Sequence, residues 1–171
     1  MAFQCKKHLS AAVGFKCAAN NPLFVEQYLD DSIEVAMSKL VHQDIERSSI
    51  IEIGNLAATW KGTSQLVLAI LPIILERAGY KWAVFTATSQ VQKLLSKIQI
   101  NMTTLCAADV RRVNNENNIW GSYYDKPSPS VVFGSLKGME ARLSKQRIIK
   151  RLLEHYSDSI DKIVEQLQSQ S

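Results

Sequence analysis

The chain has 171 residues, 46% of them hydrophobic, which is enough for one domain with a core of its own. Its net charge is only +4, and the lysines and arginines are scattered apart from a run at Lys137 to Arg151, so a nucleic-acid-binding protein is not indicated. Its three cysteines form no C-x-x-C pair and its three histidines are isolated, which argues against a metal site. No apolar run is long enough to cross a bilayer, and the first residues do not resemble a signal peptide, so we expect a cytoplasmic protein.

The first predicted elements are a strand and two short helices. Leu9 to Ala18 has apolar residues at every second position, as a half-buried strand does, and Gly14 within it predicts a β-bulge. Asn20-Asn21-Pro22 then ends the strand, and a helical pattern begins at Leu23. Because Asp30-Asp31-Ser32 interrupts this pattern, we expect two helices rather than one.

The centre of the chain predicts a strand, a crossover helix and a second strand. Ile50 to Ala58 forms the first strand, Gln65 to Ala78 an almost wholly apolar helix, and Tyr80 to Ala87 the second strand. A connection of this length excludes a tight hairpin, so the two strands are predicted to be parallel with a right-handed crossover.

The turn between the first strand and the helix is a candidate anion site. Trp60 to Gln65 contains Gly62 and leads directly into a helix N-terminus, where free N–H groups and the helix dipole favour an anion such as phosphate. The turn matches neither common nucleotide-binding glycine pattern, so an ordinary strand-to-helix turn remains the alternative.

Glu52 is a candidate general base because it lies in a strand that is otherwise apolar. A carboxylate among isoleucines loses solvation, which raises its pKa toward neutrality. Asn55 follows near the end of the same strand. The alternative is that Glu52 points into solvent or pairs with a basic neighbour.

The second half of the chain begins with another helix, from Ser89 to Ile100. Trp120 to Tyr124 and Val131 to Phe133 then predict an antiparallel hairpin. Tyr123 and Tyr124 lie in this hairpin, where each is either a proton donor to a leaving group or a packing residue.

From Lys137 onward the sequence predicts one long amphipathic helix. Ile149, Leu153, Tyr156, Ile160, Ile163 and Leu167 recur at alternating spacings of four and three. Such a seam either folds back on the domain or pairs with a second copy of the chain. We therefore divide the sequence into a domain at 1–138 and a C-terminal helix at 139–171.

Four blocks of sequence resemble the bacterial thermostable hemolysin family over roughly Leu9 to Gly138. The blocks are LFVEQYLD (Leu23 to Asp30), EIGNLAA (Glu52 to Ala58), GYKWAVFTAT (Gly79 to Thr88) and WGSYYDKPSP (Trp120 to Pro129). That family resembles a divergent branch of the GNAT-type acyltransferases, and EIGNLAA is similar to a strand block of acyl-homoserine-lactone (autoinducer) synthases. The resemblance implies an α+β fold with a GNAT-like mixed central sheet flanked by helices. Only MAFQCKKH precedes Leu9, so the family's N-terminal strand and helices are expected to be missing.

The resemblance also implies a site for an acyl-pantetheine arm between two central strands that splay apart. The donor would be acyl-coenzyme A or the phosphopantetheine of an acyl carrier protein, without a metal. Glu52, Asn55, Tyr123 and Tyr124 are the implied catalytic residues. The implied donor-binding residues are Leu56, Ala57, Ala58, Lys61, Gly62, Thr63, Ser64, Gln65, Thr86 and Thr88.

These features lead us to expect transfer of an acyl group to an amine by a GNAT-type N-acyltransferase. Two alternatives remain. One is a membrane-damaging extracellular toxin, which would use the basic amphipathic helix on a bilayer. The other is a non-catalytic remnant that acts as a binding module. A homodimer would form through the C-terminal helix or through a truncated sheet edge.

Overall fold

The computed structural model describes residues 2–5, 8–19, 21–58, 63–113, 121–124 and 129–169. These residues form the predicted α+β fold, a mixed sheet with helices on both faces. The strands are β1 (Ala2–Cys5), β2 (His8–Cys17), β3 (Ile50–Ala58), β4 (Trp82–Ala87), β5 (Thr103–Ala107) and β6 (Ser130–Ser135). The α-helices are α1 (Ile33–Val41), α2 (Thr63–Arg77), α3 (Ser89–Lys97), α4 (Met139–Leu143), α5 (Arg147–His155) and α6 (Ser157–Gln168). Short 3-10 helices lie at Phe24–Tyr28, Arg47–Ser49, Val110–Arg112 and Gly121–Tyr124.

The sheet has the strand order β1-β2-β3-β4-β6-β5, and only β3 and β4 are parallel among its paired strands. This pair, joined by α2, confirms the predicted crossover unit, and β3 has the predicted bounds. β4 begins later than predicted because the N–H of Tyr80 still donates to the carbonyl of Leu75, in the turn that ends α2. The expectation of a missing N-terminal strand is corrected, since Ala2–Cys5 pairs with β2 before Leu9.

The two short helices after β2 confirm the interruption predicted at Asp30-Asp31-Ser32. The first is the 3-10 helix Phe24–Tyr28, and the second is α1, whose N-cap position is occupied by Ser32 in an extended conformation. Val25, Tyr28 and residues of α1 are buried together against one face of the sheet. This face carries the polar part of the site described below.

α2 covers the other face of the sheet and is enclosed by it and the C-terminal helices. Every residue from Val67 to Leu75 is buried, as the uniformly apolar sequence predicts. Pro72 lies inside the helix, where its ring nitrogen cannot donate a hydrogen bond. Gly79 follows with a φ of 98°, the left-handed conformation in which glycine commonly terminates a helix.

The prediction of one long C-terminal helix is wrong. The segment forms three helices, with breaks at residues 144–146 and at Tyr156. A continuous helix of about 30 residues would extend about 45 Å. Three shorter helices allow the chain to change direction at the breaks, so that all three pack around α2 and bury their apolar residues. Ile149, Leu153, Ile160 and Leu167 share a core with α2, so the seam folds back on the domain.

Charged residues at the end of α2 fix the start of this C-terminal segment. The Glu76 carboxylate accepts hydrogen bonds from the N–H groups of Gly138 at 2.5 Å and Glu140 at 2.8 Å. The Arg77 guanidinium forms an ion pair with Glu140 and donates to it from Nε at 3.0 Å. These contacts direct α4 across α2.

The predicted hairpin is also wrong. Val131 to Phe133 does lie in a strand, but Gly121–Tyr124 is a 3-10 helix. β6 pairs with β4 on one side and with β5 on the other, so no ladder position remains for the residues around Tyr123. The outer neighbour of β6 is β5 (Thr103–Ala107), a segment for which no element was predicted.

Candidate active site

The site is organised by the separation of the two parallel strands. Register pairs between β3 and β4 run from Ile50–Trp82 to Glu52–Val84, and none follows in the described backbone. β3 continues to Ala58 beside β2, whereas β4 continues to Ala87 beside β6. The strands therefore diverge beyond Glu52, which is the predicted splay.

A cavity of about 610 Å³ opens where the strands separate. It is lined from both faces of the sheet, so it passes through the gap between β3 and β4. On the face of the 3-10 helix its lining residues are polar or aromatic: Lys16, Phe24, Tyr28, Glu52, Thr86, Tyr123 and Tyr124. On the face of α2 they are mainly apolar: Leu68, Leu71, Pro72, Ala83, Phe85, Val91, Leu95, Ile100, Met102, Leu136 and Met139.

Glu52 is the buried carboxylate of this cavity, with a relative exposure of 6%. Its oxygens accept hydrogen bonds from the N–H groups of Phe24 at 2.8 Å and Val25 at 2.9 Å. Burial raises the pKa of Glu52 above its ordinary value, although the two hydrogen bonds and the nearby Lys16 ammonium oppose the shift. Lys16 is its register partner on β2, but within the described part of the chain no salt bridge joins them. The alternatives of a solvent-facing or an ion-paired Glu52 therefore do not apply.

Three tyrosines, Tyr28, Tyr123 and Tyr124, line the cavity together with Glu52. The hydroxyls of Tyr28 and Tyr124 form a short hydrogen bond with each other. Burial, followed by this contact with Tyr124, raises the pKa of Tyr28 well above its ordinary value, so the phenol stays protonated at neutral pH. Tyr123 is partly exposed, packs edge-on against Tyr124, and donates a hydrogen bond to the carbonyl of Thr86 at 3.3 Å.

Tyr28 is the site residue that sequence reasoning missed. It lies in the LFVEQYLD block, which carried the family resemblance but gave no chemical reason to select the tyrosine. Its importance depends on contact with Tyr124, which is 96 positions away along the chain. No local pattern reports such a contact.

The implied donor-binding residues lie in three parts of the chain. Leu56, Ala57 and Ala58 belong to β3, as does the implied catalytic residue Asn55, and Thr86 and Thr88 line the cavity. Thr88 occupies the N-cap of α3, and its hydroxyl accepts from the N–H of Val91 at 3.4 Å. Thr63, Ser64 and Gln65 form the first turn of α2, while Lys61 and Gly62 lie outside the described residues.

The pairing of β2 with β3 is irregular next to Gly14, where a bulge is predicted. Ala12 pairs with Ala57 and Gly14 with Gly54, so Asn55 and Leu56 lie opposite a single residue of β2. The extra residue is thus on β3, just beyond Glu52. A bulge disrupts the regular ladder and reorients the groups around it, which provides a place where a backbone N–H can face the cavity.

A second carboxylate, Glu26, supports the site without lining the cavity. It accepts from both terminal nitrogens of Arg47, at 2.6 and 2.8 Å, and from the N–H groups of Leu23 at 2.7 Å and Ile33 at 3.0 Å. Arg47 holds the pKa of Glu26 down at about 2, and it also pairs with Glu34 at 2.6 Å. This network fixes the 3-10 helix whose N–H groups hold Glu52.

The described residues contain neither a cluster of metal ligands nor a membrane-spanning helix. No group of three or more His, Cys, Asp or Glu in that part of the chain is arranged to hold a metal ion. Likewise, no helix there has both the length and the hydrophobicity needed to cross a membrane.

Comparison with known proteins gives one family and one informative structure. The family model described as thermostable hemolysin matches residues 1–139, whereas no curated protein matches the chain. Among solved structures, similarity is found to a CoA-dependent acyl-homoserine lactone synthase, BjaI, determined with SAM and isopentyl-CoA. The TM-score is 0.54 at 7% identity, over 91% of this chain and 63% of that chain. The present chain thus spans less than two thirds of that enzyme's length, and at this identity the likeness concerns the fold alone.

Proposed function

The chain belongs to the thermostable hemolysin family, and from this premise we propose that it is a GNAT-type N-acyltransferase. In this proposal it transfers an acyl group to an amine, from acyl-coenzyme A or from the phosphopantetheine of an acyl carrier protein. The fold similarity to a CoA-dependent acyl-homoserine lactone synthase supports this reaction class.

The observation that carries the proposal is the position of Glu52 at the last register pair before β3 and β4 diverge. The gap opens a cavity with a buried carboxylate and three tyrosines on one side of the sheet and an apolar space on the other. A thioester donor needs this division, because its acyl chain is apolar whereas the reacting carbonyl needs proton donors and acceptors.

Each residue then has a defined task. The bound donor would supply the thioester carbonyl carbon, with which the acceptor amine forms a new C–N bond. Glu52 accepts the proton that the amine releases, since its raised pKa suits a base working near neutral pH. Backbone N–H groups at the β3 bulge, around Asn55 to Ala57, donate to the oxygen that becomes negative. Tyr123 or Tyr124 donates a proton to the sulfur as the C–S bond breaks.

Donor recognition would be shared between the cavity and the turn before α2. The gap between β3 and β4 would admit the uncharged pantetheine arm, and the first-turn residues Thr63, Ser64 and Gln65 would hold phosphate together with Lys61 and Gly62. The free N–H groups at the N-terminus of a helix as long as α2 favour the binding of an anion.

The test is calorimetric titration of the protein with acyl-coenzyme A and with an acyl carrier protein, followed by an assay for thiol release in the presence of amines. We expect binding of at least one donor and thiol release that Glu52→Gln lowers by about 100-fold or more, in the range found for general bases. Glu154→Gln changes an exposed carboxylate of α5 and is the control, with unchanged rates. No binding of either donor at millimolar concentration would refute the proposal.

Burial of the C-terminal apolar face argues against the lytic alternative. It relied on an apolar helix face at 139–171, but that face is buried against α2 through Leu143, Ile149, Leu153 and Ile160. We therefore expect no dye release from anionic liposomes in the absence of a cofactor. Dye release by the folded protein would favour the toxin instead.

A further inference from the structure

The apolar side of the cavity runs over two small residues of the sheet. Ala83 on β4 and Gly134 on β6 are register partners. Because alanine has only a methyl side chain and glycine has none, these two residues leave open a space over the sheet that larger side chains would fill. Leu68 of α2 and Leu95 of α3 line the same space from the helix side. We call the part of the cavity that extends from the gap between β3 and β4, over Ala83, to Gly134 on β6 the channel.

Met102 closes this channel. A Cβ placed on Gly134 would lie 2.8 Å from Sδ and 3.2 Å from Cε of Met102, so the methionine occupies the volume that a side chain at Gly134 would take. Met102 is only partly buried and belongs to the cavity lining. Because methionine is unbranched and has three rotatable side-chain bonds, it can adapt to a neighbour of different size.

We propose that Met102 is the adjustable end wall of an acyl-chain channel and that it sets the length of the acyl group that the protein accepts. This inference rests on the proposed function, which supplies the thioester donor. The distance from the gap to the strand of Gly134 is about 1.5 strand spacings, or roughly 7 Å. An extended chain advances about 1.25 Å per carbon, given bonds of about 1.5 Å, so a straight acyl chain of about six carbons fills the channel.

The experiment uses straight-chain acyl thioesters of N-acetylcysteamine, from butanoyl to dodecanoyl, titrated into the protein by calorimetry. These probes carry no phosphate, so they report on the channel alone. We expect affinity to rise roughly four-fold for each added methylene up to about six carbons and then to level off. In Met102→Ala the rise should continue for about three further carbons, because three side-chain heavy atoms are removed. In Met102→Phe the larger side chain should lower the limit, so the inference remains testable even if one variant folds poorly.

Met37→Ala is the matched control, since it removes the same atoms from a methionine buried in the core on the opposite face. Its folding is checked by thermal unfolding, and its chain-length limit should equal that of the unmodified protein. The inference would be overturned if the unmodified protein and the three variants all had the same chain-length limit. It would also be overturned if affinity did not grow with chain length.

The outcomes separate this inference from the proposed function. If the Met102 variants shift the limit but acyl-coenzyme A binds no more tightly than the phosphate-free thioester and releases no thiol, the end wall is supported and the acyltransferase proposal fails. If thiol release from acyl-coenzyme A occurs with a chain-length profile that neither Met102 variant moves, the end wall alone is overturned.

Discussion

Glu26→Gln removes the carboxylate that holds Arg47 and the start of the 3-10 helix. The side chain of Glu26 is only 16% exposed, and its oxygens accept from Arg47 and from the N–H groups of Leu23 and Ile33. Arg47, the largest influence, lowers the pKa of Glu26 from 4.5 to about 2. At about 1.4 kcal/mol for each tenfold change, this corresponds to about 3 kcal/mol in the free energy of unfolding. Glutamine keeps part of the hydrogen bonding, so we expect a loss of about 2 kcal/mol at pH 7.

The pH dependence follows from the direction of the shift. Because the folded-state pKa of Glu26 is depressed, its contribution is complete above pH 4.5 and is lost as the pH falls toward about 2. Urea unfolding of both proteins across this range should therefore show a difference in stability that shrinks with acid. At pH 7 the melting temperature should fall by about 4–8 °C.

Glu46→Gln is the control for this prediction. Its carboxylate is 74% exposed and lies 3.4 Å from the Lys81 ammonium, so its replacement should leave stability within about 0.5 kcal/mol. A Glu26→Gln protein as stable as the original at pH 7 would contradict the reasoning, as would a stability difference that does not change between pH 4.5 and pH 2.

Three further changes have predicted effects on stability, each measurable by chemical denaturation. Gly134→Ala should cost about 1–3 kcal/mol because its Cβ would lie 2.8 Å from Sδ of Met102 and 3.1 Å from the carbonyl oxygen of Asn101. The part of this cost that comes from Met102 should disappear in the Met102→Ala background, so equal costs in both backgrounds would contradict that contact. Thr88→Ala should cost about 0.5–1 kcal/mol through loss of the α3 cap, and a neutral result would show that the cap is not formed. Leu153→Ala should cost about 2–4 kcal/mol, whereas Ile148→Ala, at a residue that is 57% exposed, should cost under about 0.5 kcal/mol; similar losses would argue against the fold-back of the C-terminal segment.

Local patterns were sufficient to predict the centre of the molecule. The apolar residues of Ile50 to Ala58 and of α2 can be buried together when the helix packs across the sheet. Periodicity and connection length therefore predicted the parallel pair of strands and the crossover helix. The isoleucine neighbours of Glu52 indicated a buried carboxylate, and the structure decides between this and the solvent-facing or ion-paired alternative. What the sequence could not report is that Phe24 and Val25 supply the N–H groups that hold this carboxylate, because the contact joins segments 27 and 28 residues apart.

The wrong predictions have a common physical cause. Residues near Tyr123 have strand-like composition, but the neighbouring ladder positions of β6 are taken by β4 and β5. The C-terminal seam is compatible with one helix, but the helices have to curve around α2 to bury Ile149 and Ile160. In both cases a contact with residues distant in sequence overrode the local preference for a strand or for one continuous helix. The roles of the individual site residues remain predictions for the experiments above.

The short register between β3 and β4 divides the sheet into two halves, β1-β2-β3 and β4-β6-β5, that are joined through three paired positions. The hydrogen bonds within each half do not depend on this junction. We therefore expect the junction to be the place where the sheet can widen for a bulky ligand without loss of hydrogen bonds within either half. Hydrogen exchange should report the two halves as separately opening units, and filling the cavity should slow exchange in both.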